Sequence, residues 1–348
     1  MKIKLLVTGG SGFLGYHIVN NFFKKGIKEV DILDIADYIK EEYPENTVYY
    51  NVDVRDREKL DEVLEKGEYD AIIHAAAALP LWKKKDILTT TINGTKNVLD
   101  LSRKHSIKRV VYISSTAVYG VPKYHPIYED SPRIGVGSYG EAKIKAENIC
   151  LKYRKDLVVP VIRPKTFIGT ARLGVFQILY DWVESGKKIP LIGNGKNKYQ
   201  LLEVEDLVEA IYLAITSDAE KANDIFNVGA ETFGTVREDV SAMCEYAKTG
   251  ARVMPVPSIL VKPFLMLFEA LGLSPLYKWV YGTADKESFV DVKKIKDNLN
   301  WQPKHSNKEA LIKSYQWYLD NEDSISGVGV THRVGWNQGI LKIFKKFL

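Results

Sequence analysis

The stretch Lys4-Leu5-Leu6-Val7-Thr8-Gly9-Gly10-Ser11-Gly12-Phe13-Leu14-Gly15 constrains this chain more than any other. An apolar run enters a glycine cluster, and a segment with helical periodicity (Phe13, Leu14, His17, Ile18, Phe22) follows at once. That pattern predicts strand, tight turn, helix. Gly10, Gly12 and Gly15 satisfy G-x-G-x-x-G, and Gly9, Gly12 and Gly15 satisfy G-x-x-G-x-x-G in the same loop. Such glycines permit the turn, let the backbone approach a pyrophosphate, and aim helix N–H groups at its charge. The next apolar run, Val30-Asp31-Ile32-Leu33-Asp34, closes on an acid. Asp34 lies 19 residues after Gly15, where a carboxylate accepts hydrogen bonds from an adenosine ribose. A surface turn is the plain alternative, and the strand, the helix and Asp34 together disfavour it.

A length of 348 residues suits two domains or one large α/β domain with an addition. Strand-like runs alternate with amphipathic segments as far as residue 165. In order these are Val48 to Val54, Asp56 to Lys66, Ala71 to Ala77, Ile87 to His105 and Val110 to Ser115, then Ser138 to Arg154 and Leu157 to Arg163. This alternation predicts an α/β fold with a doubly wound parallel sheet of Rossmann type. Beyond Pro164 the pattern loosens, with helices at Val175 to Ser185 and Val204 to Thr216 and a strand at Ile225 to Val228. The expected organisation is a dinucleotide-binding domain over 1–165, with 200–230 returning to it. A discontinuous substrate-binding part takes 166–199 and 231–322, and a basic amphipathic tail takes 323–348.

The net charge of +5 is spread along the chain, which argues against a nucleic-acid partner. Cys150 and Cys244 fit no metal or disulfide spacing, so no metal is expected and a reducing, cytoplasmic compartment is. The immediate entry into a strand leaves no room for a signal peptide. The longest apolar stretch, Ile259 to Leu273, is interrupted by Lys262, Pro263 and Glu269 and is too short to span a bilayer.

Chemistry concentrates at Tyr139 and Lys143, four residues apart near the start of a predicted helix and so on one face. A lysine cation one turn from a phenol, beside a positively charged nicotinamide, favours the phenolate and makes a general base. Ser115, at the end of the fifth strand, is placed to hydrogen-bond the reacting oxygen. Tyr-x-x-x-Lys alone usually marks a surface helix; the glycine loop, Asp34 and the Ser114-Ser115 pair make the catalytic reading the better one.

With these motifs the chain resembles an extended short-chain dehydrogenase/reductase of the NAD-dependent epimerase/dehydratase branch. Further matching segments are Asp53-Val54-Arg55-Asp56, His74-Ala75-Ala76-Ala77, Ser114-Ser115-Thr116-Ala117-Val118-Tyr119-Gly120, Tyr139-Gly140-Glu141-Ala142-Lys143, Arg163-Pro164 and Asn300-Trp301-Gln302-Pro303. The resemblance implies that Gly9, Gly12, Phe13, Leu14 and Gly15 surround the pyrophosphate of NAD. Asp34 would hold the adenosine ribose, Asp53 and Val54 would meet adenine, and Ala75, Ala76 and Ala77 would line the cofactor path. Ser115 and Tyr139 would bind the substrate oxygen, with Lys143 also on the nicotinamide ribose. Asp34, with no arginine beside it in the sequence, favours NAD over NADP. The resemblance also implies a homodimer through the helices at 87–105 and 138–154.

Three departures bear on the substrate. Thr116-Ala117 follows Ser115 where the 4,6-dehydratases carry Asp-Glu, so dehydration is not expected. Thr166 replaces an asparagine, and Gln200-Leu201-Leu202 replaces Arg-Asp-Phe, at places that serve a sugar nucleotide. Thr166 and Gln200 are therefore candidate substrate contacts, and with the apolar C-terminal third they favour a lipid or lipid-linked substrate over a UDP-sugar. The expected activity is sugar epimerisation. The alternatives are oxidation of a lipid alcohol, as in the 3β-hydroxysteroid dehydrogenase-like members, and a non-catalytic NAD-binding regulator. In the tail, Ile340, Leu341, Ile343, Phe344, Phe347 and Leu348 share one helical face opposite Lys342, Lys345 and Lys346. Such a helix either lies in an anionic membrane surface, at the inner face of the membrane, or docks on the protein.

Overall fold

The computed structural model describes residues 3–80, 82–271, 273, 276, 278–325, 333, 338–339 and 341–347. The first half runs β1 (Lys4–Thr8), α1 (Phe13–Lys24), β2 (Glu29–Asp34), β3 (Tyr49–Asn51), α2 (Arg57–Gly67), β4 (Ala71–His74), α3 (Lys84–Leu88), α4 (Thr95–Lys104), β5 (Arg109–Ile113), α5 (Gly137–Tyr153) and β6 (Val161–Pro164). Then come β7 (Thr166–Ile168), α6 (Val175–Glu184), β8 (Lys188–Ile192), β9 (Leu201–Glu203), α7 (Val204–Thr216), α8 (Ala219–Ala222) and β10 (Ile225–Val228). The last elements are α9 (Val236–Ala247), β11 (Arg252–Val256), α10 (Ser258–Ala270), α11 (Lys278–Thr283), α12 (Lys293–Leu299), α13 (Asn307–Asn321) and α14 (Leu341–Phe347).

Seven parallel strands form the main sheet in the order β10-β6-β5-β4-β1-β2-β3. Both faces are covered, which is why its strands read as nearly unbroken apolar runs. Leu5, Val7, Ile32 and Ile73 point to the side packed by α1, α7 and α12. Leu6, Leu33, Ile72 and Val110 point to the side packed by α2, α4 and α5. The sheet is thus doubly wound, as expected. The chain lays strands outward from β1 on one side and from β4 on the other, so the carboxyl ends of β1 and β4 form the topological switch point where ligands bind.

A second core holds Ile178, Trp182, Leu191, Met243 and Tyr315 from α6, β8, α9 and α13. Here β11 pairs in parallel with β8, and β7 pairs with β9. The segment after Thr232 thus supplies a strand, β11, as well as helices. The long helix expected over 87–105 is broken: residues Thr89–Gly94 form a π-turn between α3 and α4. A Cβ on Gly94 would lie 2.6 Å from Val54 Cγ2, so the helix passes close over the loop at Val54.

Two contacts bind the layers together. Trp301 is fully buried, and its indole N–H donates to the Asp206 carbonyl at 2.9 Å. The Asp206 carboxylate in turn accepts from the backbone N–H groups of Lys304 (3.1 Å) and His305 (3.0 Å). Deeper in, the Glu147 carboxylate on α5 accepts from Ser114 Oγ (2.5 Å), Arg163 Nε (2.9 Å), Arg163 Nη2 (2.7 Å) and Arg133 Nη1 (3.0 Å). Arg163 continues to the Tyr119 hydroxyl at 2.6 Å, and Tyr119 to Asn227 Oδ1 on β10 at 2.7 Å.

Candidate active site

The glycine loop follows β1 directly, and Gly12 stands at the N-cap of α1 with no side chain to occupy it. Gly9 has φ +75°, and a Cβ there would fall 2.8 Å from the Ala76 nitrogen. A Cβ on Gly15 would meet the Gly9 carbonyl oxygen at 2.4 Å. Both positions need glycine, because the loop lies flat against the strand end that carries Ala75, Ala76 and Ala77. The Asp34 carboxylate faces the same loop, accepting from Ser11 N–H (3.0 Å), Ile35 N–H (2.7 Å) and Ala36 N–H (3.1 Å). Burial raises its pKa, opposed by those backbone donors.

Asp53 is gripped by Arg55 through contacts of 2.6 to 3.0 Å, and Arg55 reaches on to Asp86 at 3.1 Å. Partial burial pushes the Asp53 carboxyl up, but the Arg55 contacts together outweigh it and hold it low. Val54 beside it is buried. Phe13 stacks on Phe167 at 5.8 Å, and Leu14 is buried in the core behind it. Sequence reasoning gave His74 no role of its own. It bridges Thr8 Oγ1 (2.7 Å) and Thr95 Oγ1 (3.1 Å), and burial pulls its pKa to about 3, so it stays neutral and locks β1, β4 and α4 together.

Lys143 is buried on α5 and donates from Nζ to the Ile113 carbonyl at 2.7 Å. Its ammonium lies 5.8 Å from the Tyr139 ring centroid, as the four-residue spacing requires. Burial lowers the lysine to about 8, opposed by the nearby Glu147 charge. Burial raises the Tyr139 phenol to about 12, opposed by its hydrogen bond with Ser115. Ser115 caps the turn after β5, its Oγ accepting from Ala117 N–H at 3.1 Å. The structure therefore brings Ser115, Tyr139 and Lys143 to one strand end.

The two candidate substrate contacts are bonded within the protein. Thr166 Oγ1 is 3.2 Å from the Tyr199 hydroxyl. Gln200 turns inward: its Nε2 donates to the Ala230 carbonyl (2.7 Å) and its Oε1 accepts from Val290 N–H (2.8 Å), so backbone occupies the amide. A cleft of about 500 Å³ lined by Pro126, Gln200, Phe233 and Phe289 opens there and holds none of the three catalytic candidates. Two further side chains that no motif flagged stand by the glycine loop and on α5. Arg333 from the tail pairs with Glu42 (2.6 Å) and stacks on Tyr16 beside the glycine loop. Glu147 supports the catalytic helix from below. Its spacing, one turn after Lys143 and two after Tyr139, was the available signal.

A parallel sheet with a glycine-floored switch point and a Ser-Tyr-Lys set at the neighbouring strand ends defines a dinucleotide-dependent, hydride-transferring protein. More specifically, the chain belongs to the NAD dependent epimerase/dehydratase family, which matches residues 5–229. Among similar proteins, the Sinorhizobium fredii protein y4nG is 34% identical over 97% of this chain and 84% of its own length. UDP-arabinose 4-epimerase 1 of Arabidopsis thaliana is 27% identical over 90% of this chain and 78% of its own. The crystal structure of the Bordetella bronchiseptica enzyme WbmG in complex with NAD has the same fold at 20% identity, with a TM-score of 0.77, covering 96% of this chain and 97% of that one. NAD is the cofactor of the family, and the cradle at Gly9 and Gly15, which a Cβ would fill, fits it.

Asp34→Ala is expected to weaken NAD binding and to raise the relative use of NADP, because a 2′-phosphate no longer meets a carboxylate. Titration of both cofactors into wild type and variant checks this. Equal affinity of the wild type for the two refutes the role given to Asp34.

Proposed function

We propose that this chain is a sugar epimerase acting on a secondary alcohol. The observation that carries the reading is the complete Ser115, Tyr139 and Lys143 set at the end of β5, in a chain whose relatives include a UDP-sugar epimerase. The loop at Gly9, Gly12 and Gly15 with Asp34 would hold NAD, which would supply a reversible hydride acceptor and a positive ring that favours the phenolate. Tyr139 removes the hydroxyl proton, Ser115 holds the reacting oxygen, and Lys143 keeps the phenolate ionised. The Ile113 carbonyl fixes where the Lys143 charge sits. Burial by itself pushes the phenol away from ionisation, so Tyr139 needs those positive charges to serve as a base. Inversion requires that the keto sugar turn between the two transfers. Residues 166–199 and 231–322, which would enclose it, are the proposed substrate-binding part.

We further infer a homodimer through α3 to α5, which stand side by side on one face of the sheet. We also infer contact with an anionic membrane surface. Among the described residues no helix is long and apolar enough to cross a membrane. Of the tail's apolar face, Ile340 and Leu348 lie outside the described residues. The described part docks: Leu341 joins the second core and Lys345 pairs with Asp181 at 2.7 Å. The apolar surface that supports membrane contact is instead α10, where Ile259 is 82% exposed and Leu260 and Phe264 are each 60% exposed. Phe344 of α14 adds to it, its ring 6.3 Å from Phe268. Lys342 and Lys346 follow in the sequence with no acid after Asp323, which suits anionic lipid.

Tyr139→Phe is expected to lower kcat by about 10²- to 10⁴-fold while leaving NAD affinity nearly unchanged. Turnover within twofold of wild type removes Tyr139 from the role of base. Light scattering is expected to give twice the chain mass, and a concentration-independent monomer mass rules the dimer out. In co-sedimentation with phosphatidylserine vesicles, the full chain is expected to pellet at low salt and to be released as salt rises. A Leu260→Glu, Phe264→Glu double variant should stay in solution. Full chain that stays in the supernatant at low salt contradicts the membrane reading.

A further inference from the structure

Lys165 stands between β6 and β7, at the carboxyl edge of the main sheet where the fold binds its ligands. Its backbone N–H donates to the Val228 carbonyl at 2.8 Å. The carbonyl of the residue before it, Pro164, accepts from Thr116 Oγ1 at 3.3 Å, one residue from Ser115. Its side chain is only 3% exposed. Its ammonium donates to Ser288 Oγ at 2.6 Å and lies 5.0 Å from the Tyr199 ring centroid. Among the described residues no carboxylate comes within 4.0 Å of it. Arg163, two residues earlier and equally buried, is saturated by Glu147.

An ammonium out of water with one hydroxyl and one ring for company is an unfavourable arrangement, and proteins normally pair such a charge. Two of its three donors remain for a ligand. A second polar atom nearby is also unmatched: His125 Nε2 is buried without a hydrogen-bond partner. The His125 ring packs on Phe289, the neighbour of Ser288, at 4.9 Å. Burial lowers the His125 pKa, the Glu287 charge opposes that, and the Lys165 charge lowers it further. Burial likewise takes the Lys165 amine down to about 7, and an anion placed beside it would restore the charged form.

We propose that Lys165, with His125 beside it, forms an oxyanion-binding subsite that pairs with a carboxylate or phosphate oxygen of the substrate. The assignment rests on the sugar epimerase reading, and it deepens it by requiring the sugar substrate to present negative charge at the end of β6. Thr166 and Tyr199, hydrogen-bonded to each other, line the subsite rather than competing for the charge. Lys165 sits next to the strand end that carries Ser115, so the anion it holds also sets where the reacting carbon lies.

The test is calorimetric titration of the NAD-loaded full chain with UDP-glucose, which carries only the diphosphate, and with UDP-glucuronate, which adds a sugar carboxylate. Wild type, Lys165→Met and Lys165→Arg are compared. Lys165→Met is expected to weaken binding at least tenfold, and Lys165→Arg to recover part of it. A loss confined to UDP-glucuronate assigns the sugar carboxylate, and an equal loss for both assigns the diphosphate. Unchanged affinity for both ligands overturns the subsite while leaving the epimerase reading in place. Wild type that binds neither ligand and turns over neither overturns both. Melting separates a structural role: Lys165→Met is expected to melt no lower than wild type, because an uncompensated buried charge is removed. A lower melting temperature with unchanged affinities marks Lys165 as a mere prop for Ser288 and overturns the proposal.

Discussion

The Glu147 carboxylate is the point on which the site depends. It lies fully buried on the helix that also carries Tyr139 and Lys143, and it accepts from Ser114, Arg163 and Arg133 at once. Those donors belong to the end of β5, to β6 and to the loop before α5. A buried charge with this many donors is tolerable; with one partner removed it costs about 3–5 kcal/mol. The consequence is geometric. Helix α5 cannot slide along the sheet without breaking the cluster, so the distance between the Ser115 hydroxyl and the Tyr139 phenol is set by a contact neither residue makes. Arg163 carries the constraint further, through Tyr119 to Asn227 on β10.

The division of labour between the two basic groups near the catalytic strand ends follows from what surrounds them. Lys143 has a backbone carbonyl at 2.7 Å and the Glu147 charge behind it, which keeps a cation where the phenol needs one. His74 has only threonine hydroxyls and deep burial, so it remains neutral and works as a spacer between β1 and α4. Burial lowers both groups; the lysine remains a cation because its ordinary value is higher and the Glu147 charge opposes the shift, while the histidine falls well below neutrality.

Much of the sheet was legible in the sequence, because a parallel sheet covered on both faces must be written in continuous apolar runs bounded by glycine and acid. The helix at Val204–Thr216 and the strand at Ile225–Val228 fall where the periodicity places them. The glycine loop was legible for a related reason: Gly9 and Gly15 occupy places where any Cβ collides with backbone. The strand at Arg252–Val256 was not, since it pairs only with β8 and its residues are half-exposed, with no apolar alternation to announce it. Nor was the π-turn at Thr89–Gly94, whose Gly94 lies against Val54, a residue some forty positions away. Gln200 looked like a substrate contact because it stands where a polar family residue does, yet its amide is consumed by Ala230 and Val290. Lys165 shows the same limit from the other side. Sequence marks a lysine, but only the fold tells whether a carboxylate came with it.

The buried indole of Trp301 has a consequence for how the molecule comes into being. It belongs to the same apolar cluster as Leu5, Val7 and Ile32, and its N–H is bonded to a carbonyl 95 residues earlier. The nucleotide-binding half therefore lacks part of its own interior until the ribosome has released Trp301. Contacts of such long sequence separation form late and slowly, since the loop must close before it is rewarded. A nascent chain stalled before residue 301 would hold a sheet open on its α7 side, with apolar surface facing water. In that interval, rather than in the finished fold, the apolar surface of the sheet is open to association with other chains.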